Sequence, residues 1–134
     1  MTKKIQEYFE GIGRRKESVA RVRIIKGEKA DYIINDKKAE VFFPVKKFQK
    51  ALFHPLIIAG LEKKLAISVK VNGGGLRGQS DAIKLGLSRA LVKYDDGLHQ
   101  ILKDQDLLKR DARKKERKKP GLKKARRSAQ WRKR

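Results

Sequence analysis

Cysteine is absent from the 134 residues, which removes disulfides, thiolate zinc sites and thiol nucleophiles together. The absence fits a reducing compartment. Acidic residues are scarce: 15 Asp and Glu face 37 Lys and Arg, a formal net charge of +22. Self-repulsion on that scale destabilises a compact state unless a polyanion neutralises it, so the expected partner is negative. Long apolar runs are also missing. None approaches the roughly 20 residues that span a bilayer, and Met1 to Glu7 lacks the apolar stretch of a secretory signal. The chain is expected to be soluble and intracellular, with no membrane partner, and its length suits a single domain.

The charge is unevenly placed. Residues 109–134 hold 15 Lys and Arg against Asp111 and Glu116, a net of +13, while the first 108 residues carry a net of +9. Beyond Leu108 the only large apolar side chains are Leu122 and Trp131, too few to offset the entropy of ordering a packed segment. The sequence thus divides into a globular part, 1–108, and a basic extended tail, 109–134, expected to be mostly disordered on its own. Pro120-Gly121 stops any helix begun in the tail, and the 15 residues from Pro120 to Arg134 reach about 50 Å when extended.

Within the globular part, a strand-like segment from Lys4 meets Gly11-Ile12-Gly13, which reads with Arg14 to Glu17 as a connection. Ser18 to Lys26 alternates, with Ala20, Val22 and Ile24 on one face and Arg21 and Arg23 on the other, as a half-buried strand requires. A third strand over Ala30 to Ile34 ends at the turn pair Asn35-Asp36. A short helical patch follows with Ala39, Phe42 and Phe43, closed by Pro44. Val45 to Phe53 has helical spacing, His54-Pro55 interrupts it, and Leu56 to Lys64 forms a second helical piece. Leu65 to Val71 is the clearest strand. After a glycine-rich stretch, Ile83, Leu87, Leu91 and Tyr94 mark an amphipathic helix, with Ser80 placed to cap it and Asp81 in its first turn. Asp95-Asp96-Gly97 breaks that helix, and another with Leu98, Ile101, Leu102 and Leu107 leads to the tail. The expected fold class is α+β: a small sheet of about four strands with helices packed on one side, plus the long basic C-terminal extension.

Gly73, Gly75 and Gly78 satisfy G-x-G-x-x-G after a strand and before a helix, with Asp95 about 20 residues on, as in a dinucleotide fingerprint. The context fails, because such a unit needs a second parallel strand after the helix, and here a turn and another helix follow. Two readings of Gly73, Gly74 and Gly75 stay open: close backbone approach to RNA phosphate at a helix N-terminus, helped by Arg77, or a turn that merely packs tightly. Arg14, Arg15, Lys16, Arg21 and Arg23 form a basic cluster, either a solvated hairpin face or a phosphate-contacting one; the overall charge favours contact. His54 and His99 have no nucleophile or carboxylate cluster beside them, and Asp104-x-Asp106 lacks the glycine and distal glutamate of a calcium loop. No enzyme, metal site, cofactor or small-molecule substrate is expected. In the tail, Arg110, Arg113, Arg117, Lys118, Lys119, Lys123, Lys124, Arg126 and Arg127 suit RNA phosphate. Trp131 offers a face for stacking on a base, worth about 1–3 kcal/mol where it occurs.

Three separated blocks resemble one family. Gly13-Arg14-Arg15-Lys16 with Ser18-Val19-Ala20-Arg21-Val22, then Gly73-Gly74-Gly75 with Gly78-Gln79, then Arg110-Asp111-Ala112-Arg113 with Glu116 to Arg126, are similar to the universal small-subunit ribosomal protein S-nine family over nearly the whole chain. The resemblance implies a left-handed β-α-β domain like the second domain of ribosomal protein S-five. It implies a place on rRNA in the head of the small subunit, among neighbouring head proteins, in the cytoplasmic ribosome. It also implies a tail reaching the peptidyl-site tRNA, with Gln130, Lys133 and Arg134 by position, and Trp131 and Arg132 between them, contacting the anticodon stem-loop. The family usually ends Pro-Gln-Phe-Ser-Lys-Arg where this chain has Ala129 to Arg134, and Ile12 stands where the family often has threonine.

The first functional expectation is therefore a structural constituent of the small ribosomal subunit that neutralises rRNA phosphates and supports tRNA in translation. Two others compete: a nucleic-acid condensing protein that binds DNA through the tail, and an oxidoreductase using the glycine loop.

Overall fold

The computed structural model describes residues 8–25, 31–61 and 65–110. The expected strand start at Lys4, the strand ends at Lys26 and Ala30, and the helical stretch to Lys64 reach outside the described residues, as does the tail from residue 111.

Five strands form one sheet in the order β1-β2-β5-β3-β4. β1 (Tyr8–Arg15) and β2 (Ser18–Ile25) make an antiparallel hairpin, and β2 pairs antiparallel with β5 (Ala66–Asn72). β3 (Tyr32–Ile34) runs parallel to β5, so α1 (Ala39–Phe42) and α2 (Lys46–Ala59) form a crossover between them. The fifth strand, β4 (Lys37–Lys38), is two residues long. It returns from β3 through Asn35 and Asp36, whose φ values of 48° and 67° suit a two-residue hairpin turn. Asn35 also extends the sheet: its amide nitrogen donates to the Val71 carbonyl at 2.9 Å while its oxygen accepts from the Val71 N–H at 3.0 Å.

The alternation read from sequence sets the two faces. Ala20, Val22 and Ile24 of β2 and Ile67, Val69 and Val71 of β5 are buried beneath the helices, with Ile34, Phe43, Leu52, Ile83, Leu87 and Leu91 completing the core. Tyr32 joins it, its hydroxyl donating to the Leu52 carbonyl at 3.3 Å and so tying β3 to α2; burial pushes the phenol well above its ordinary pKa. The opposite face of the sheet carries Glu10, Ile12, Arg14, Val19, Arg21, Arg23 and Lys70.

Three local expectations need correction. Gly11 and Gly13 do not open a connection but lie inside β1, because α3 (Leu76–Tyr94) packs backbone against backbone on that strand: a Cβ at Gly11 would strike Gly86 and Ala90, and one at Gly13 would strike Ala82 and Gly86. Pro55 does not interrupt α2. The ring is buried in the core, which outweighs the missing hydrogen bond. Ser80 is not the cap of α3, which starts at Leu76 behind Gly75; the Ser80 hydroxyl is buried and donates to the Arg77 carbonyl at 2.9 Å.

α3 ends at Tyr94, as the Asp95-Asp96-Gly97 stretch indicates. Asp95 accepts from the Gly97 N–H at 2.9 Å and starts a 3-10 turn (Asp96–Leu98) into α4 (His99–Asp104). α4 closes with Asp106 in the left-handed region at φ 56°, its N–H on the Lys103 carbonyl and the Leu107 N–H on the Leu102 carbonyl, both at 3.0 Å. Leu102 and Leu107 are both buried, the apolar contact that accompanies this helix ending. The chain therefore leaves the core in a fixed direction at Leu108.

Candidate nucleic-acid interface

The sheet face away from the helices is uncovered by any described element, and its cross-strand register lays side chains in rows. Arg14 stands opposite Val19, and Val19 opposite Asn72; Ile12 stands opposite Arg21, and Arg21 opposite Lys70; Glu10 stands opposite Arg23, and Arg23 opposite Ser68. Arg21 and Lys70 are like charges placed directly across a strand pair, an arrangement that costs stability unless counter-charge is near. Glu10 supplies part of it, with Oε1 2.9 Å from Arg21 Nε and Oε2 3.5 Å from Arg23 Nε, and Asp36 lies 3.3 Å from Lys70 Nζ. Glu10 thus serves two guanidiniums with one charge. The Arg23 geometry is an ion pair by distance only, since its Nε is buried without a hydrogen-bond acceptor. Its guanidinium lies over the Tyr8 ring, 4.4 Å from the centroid.

Apolar side chains interleave with these cations. Tyr8, Ile12 and Val19 remain 47%, 41% and 42% exposed on this same face, so cations and apolar surface share one platform. Lys70 belongs to the platform although the sequence reading passed it over; its place on the polar side of the β5 alternation was the signal that marked it.

Of the five cations grouped on the first hairpin, the structure brings Arg14, Arg21 and Arg23 together on the open face. Arg15 turns to the helix side, where its Nε lies 3.6 Å from Asp81 of α3 and its side chain is only 12% exposed. Lys16 sits at the hairpin tip with φ 53°.

The glycine loop packs against that tip. Ser18 donates to the Gly73 carbonyl at 2.9 Å, and Gln79 reaches the same oxygen at 3.2 Å. Gly73 and Gly74 have φ values of 76° and 66°, and a Cβ on either would collide with Glu17 or Ser18. Their glycines are explained by the turn itself. Gly75 differs. Its φ is −94°, nothing lies within 4 Å of a Cβ built there, and it caps the 19-residue α3 without any side-chain hydrogen bond. Arg77 is exposed in the first turn. Gly78 is buried against Ser18, which accounts for the last glycine of the fingerprint by packing. Among the described residues the element that follows α3 is a helical turn, not a parallel strand, so the dinucleotide context is missing.

Arg110 is exposed at the last described position. The tail residues expected to bind rRNA or tRNA, from Arg113 to Arg134, lie outside the described residues.

The pattern of the family described as Ribosomal protein S9/S16 matches residues 13–134. The chain belongs to this family. It is accordingly a structural small-subunit ribosomal protein, a component of the translation machinery. In this S9/S16 member the match starts inside β1, within the hairpin that carries the open-face arginines, and runs through the glycine loop into the basic tail. No described helix is long and apolar enough to cross a membrane.

Proposed function

We propose that the chain binds rRNA of the small-subunit head through the open sheet face and the adjoining glycine loop, and contacts the peptidyl-site tRNA through its tail. The carrying observation is that Arg14, Arg21, Arg23 and Lys70 share one uncovered face, on which Arg21 and Lys70 meet as like charges across the β2–β5 pair. RNA phosphate between Arg21 and Lys70 relieves that repulsion, and Tyr8 beside Arg23 gives a splayed nucleotide a surface to rest on. Gly75, unconstrained by the fold and ahead of the free N–H groups of α3, admits a phosphate oxygen close to the backbone, with Arg77 beside it. Residues 1–108 act as the seat on rRNA. Residues 109–134, with a net charge of +13, act as the extension in which Arg110, Arg113 and the later cations engage rRNA and Gln130 to Arg134 meet the tRNA. Their role is electrostatic positioning in the cytoplasmic ribosome beside other head proteins, with no chemical step and no cofactor.

Competition tests the reading. A transcript of the small-subunit head bound by the full chain resists excess duplex DNA; easy displacement supports the DNA-condensing alternative instead. Deleting residues 120–134 leaves incorporation into subunits intact and weakens tRNA at the peptidyl site, whereas loss of incorporation contradicts the division of roles.

A further inference from the structure

A second basic surface lies along the unpaired edge of β1 and borders the platform at Ile12. A cavity of about 450 Å³ opens between β1, α3 and the end of the chain's core, with Gly11, Ile12, Val92 and Leu108 as its apolar lining and Arg89, Lys93 and His99 among its walls. A second hollow of about 300 Å³ adjoins it through His99 and Leu108 and is lined further by Lys103, Asp106 and Lys109. Four fixed cations thus face one carboxylate along a single groove. Arg89 is held there by a hydrogen bond from Nη1 to the Ile12 carbonyl at 2.8 Å, which fixes its guanidinium plane and covers part of the exposed edge of β1. The ending of α4 places Leu108 and Lys109 in the groove, so its floor leads straight into the basic tail.

We infer that this groove seats one unpaired nucleotide of RNA, its base in the apolar cavity beside Arg89 and His99 and its flanking phosphates on Lys93, Lys103 and Lys109. The charge balance selects a polyanion as the occupant. An apolar floor with a flat guanidinium and an imidazole suits a base turned out of a loop or bulge, the form in which RNA bases are accessible to side chains. The cavity falls within the range of about 300–1,000 Å³ typical of small-ligand sites. The inference rests on the RNA-binding reading above and adds a site to it.

The test uses the full chain and a transcript of the small-subunit head, with affinity measured across salt concentrations for wild type, His99→Ala and Lys93→Ala/Lys103→Ala. All three replaced side chains are exposed or at the rim, and thermal melts confirm folding. His99→Ala is expected to weaken binding by about fivefold or more through lost stacking. The double variant is expected to flatten the salt slope by about 1.4, at about 0.7 per lost single-strand contact. One unpaired nucleotide should gain chemical reactivity in both complexes. Wild-type affinity and slope in both variants overturn the groove while leaving the platform standing. Impaired incorporation into subunits with unchanged RNA binding overturns it in favour of a protein occupant. Absence of salt-dependent binding by the wild type overturns the underlying reading.

Discussion

Gly13 of β1 and Gly86 of α3 meet backbone to backbone, with the Gly13 nitrogen 3.0 Å from where a Cβ on Gly86 would lie. The contact draws α3 onto the edge strand and thereby sets both the glycine loop at one end of the helix and the Arg89 groove along its side.

Gly13→Ala should therefore destabilise the domain by about 1–3 kcal/mol, the usual cost of overpacking, because the obstructing atoms are helix backbone and cannot swing aside. Urea unfolding measures this. A change below about 0.5 kcal/mol, the scale of ordinary surface substitutions, would show that helix and strand are less tightly coupled than the structure indicates.

Gly74 and Gly75 should separate by role. Gly74→Ala introduces a Cβ at positive φ and against Ser18, and is expected to lower stability measurably. A Cβ on Gly75→Ala meets nothing, so the stability loss should not exceed about 1 kcal/mol, the scale of placing Ala at a helix N-cap, while affinity for head rRNA falls. Unchanged affinity would contradict a close approach of phosphate to the backbone at Gly75.

Much of this arrangement was legible in the sequence. Alternation in β2 and β5 placed Arg21 and Arg23 opposite the core, and Asn35-Asp36 marked the turn between β3 and β4. The misread positions share a cause: glycine, proline and serine were judged by local chemistry where distant contacts decide. Gly11 and Gly13 look like punctuation until α3 is set against them, some 70 residues later. Pro55 looks like a break until the core closes over it. The Arg89 groove was invisible because residues 12, 89, 99 and 108 acquire a common surface only through tertiary packing.

Asn35→Ala should cost about 1–3 kcal/mol in thermal or urea unfolding. It strips the Val71 N–H and carbonyl of their partner at a part-buried site and leaves a residue poorly suited to φ 48°. Asn35→Gly keeps the turn but not the bonds, and should recover only part of the loss.

Tyr32 gives the domain an alkaline sensitivity. Its folded pKa is raised by burial above the ordinary value of 10.0, so the unfolded chain loses this proton first. The contribution is complete below about pH 10 and is lost as pH rises towards the folded value, by up to about 1.4 kcal/mol per pH unit. Tyr32→Phe should be about 1 kcal/mol less stable at neutral pH from its lost hydrogen bond, yet decline less steeply above pH 10. Parallel pH profiles for the two proteins would contradict this assignment.

The direct test of phosphate contact by the open sheet face is the salt dependence of binding to head rRNA, compared between wild type and an Arg14→Gln/Arg21→Gln/Arg23→Gln variant. With about five to ten contacts, the wild-type slope of log affinity against log salt should lie between about −3.5 and −7, and the variant should be flatter by about 2. A wild-type slope near zero, or the same slope in both proteins, would contradict it.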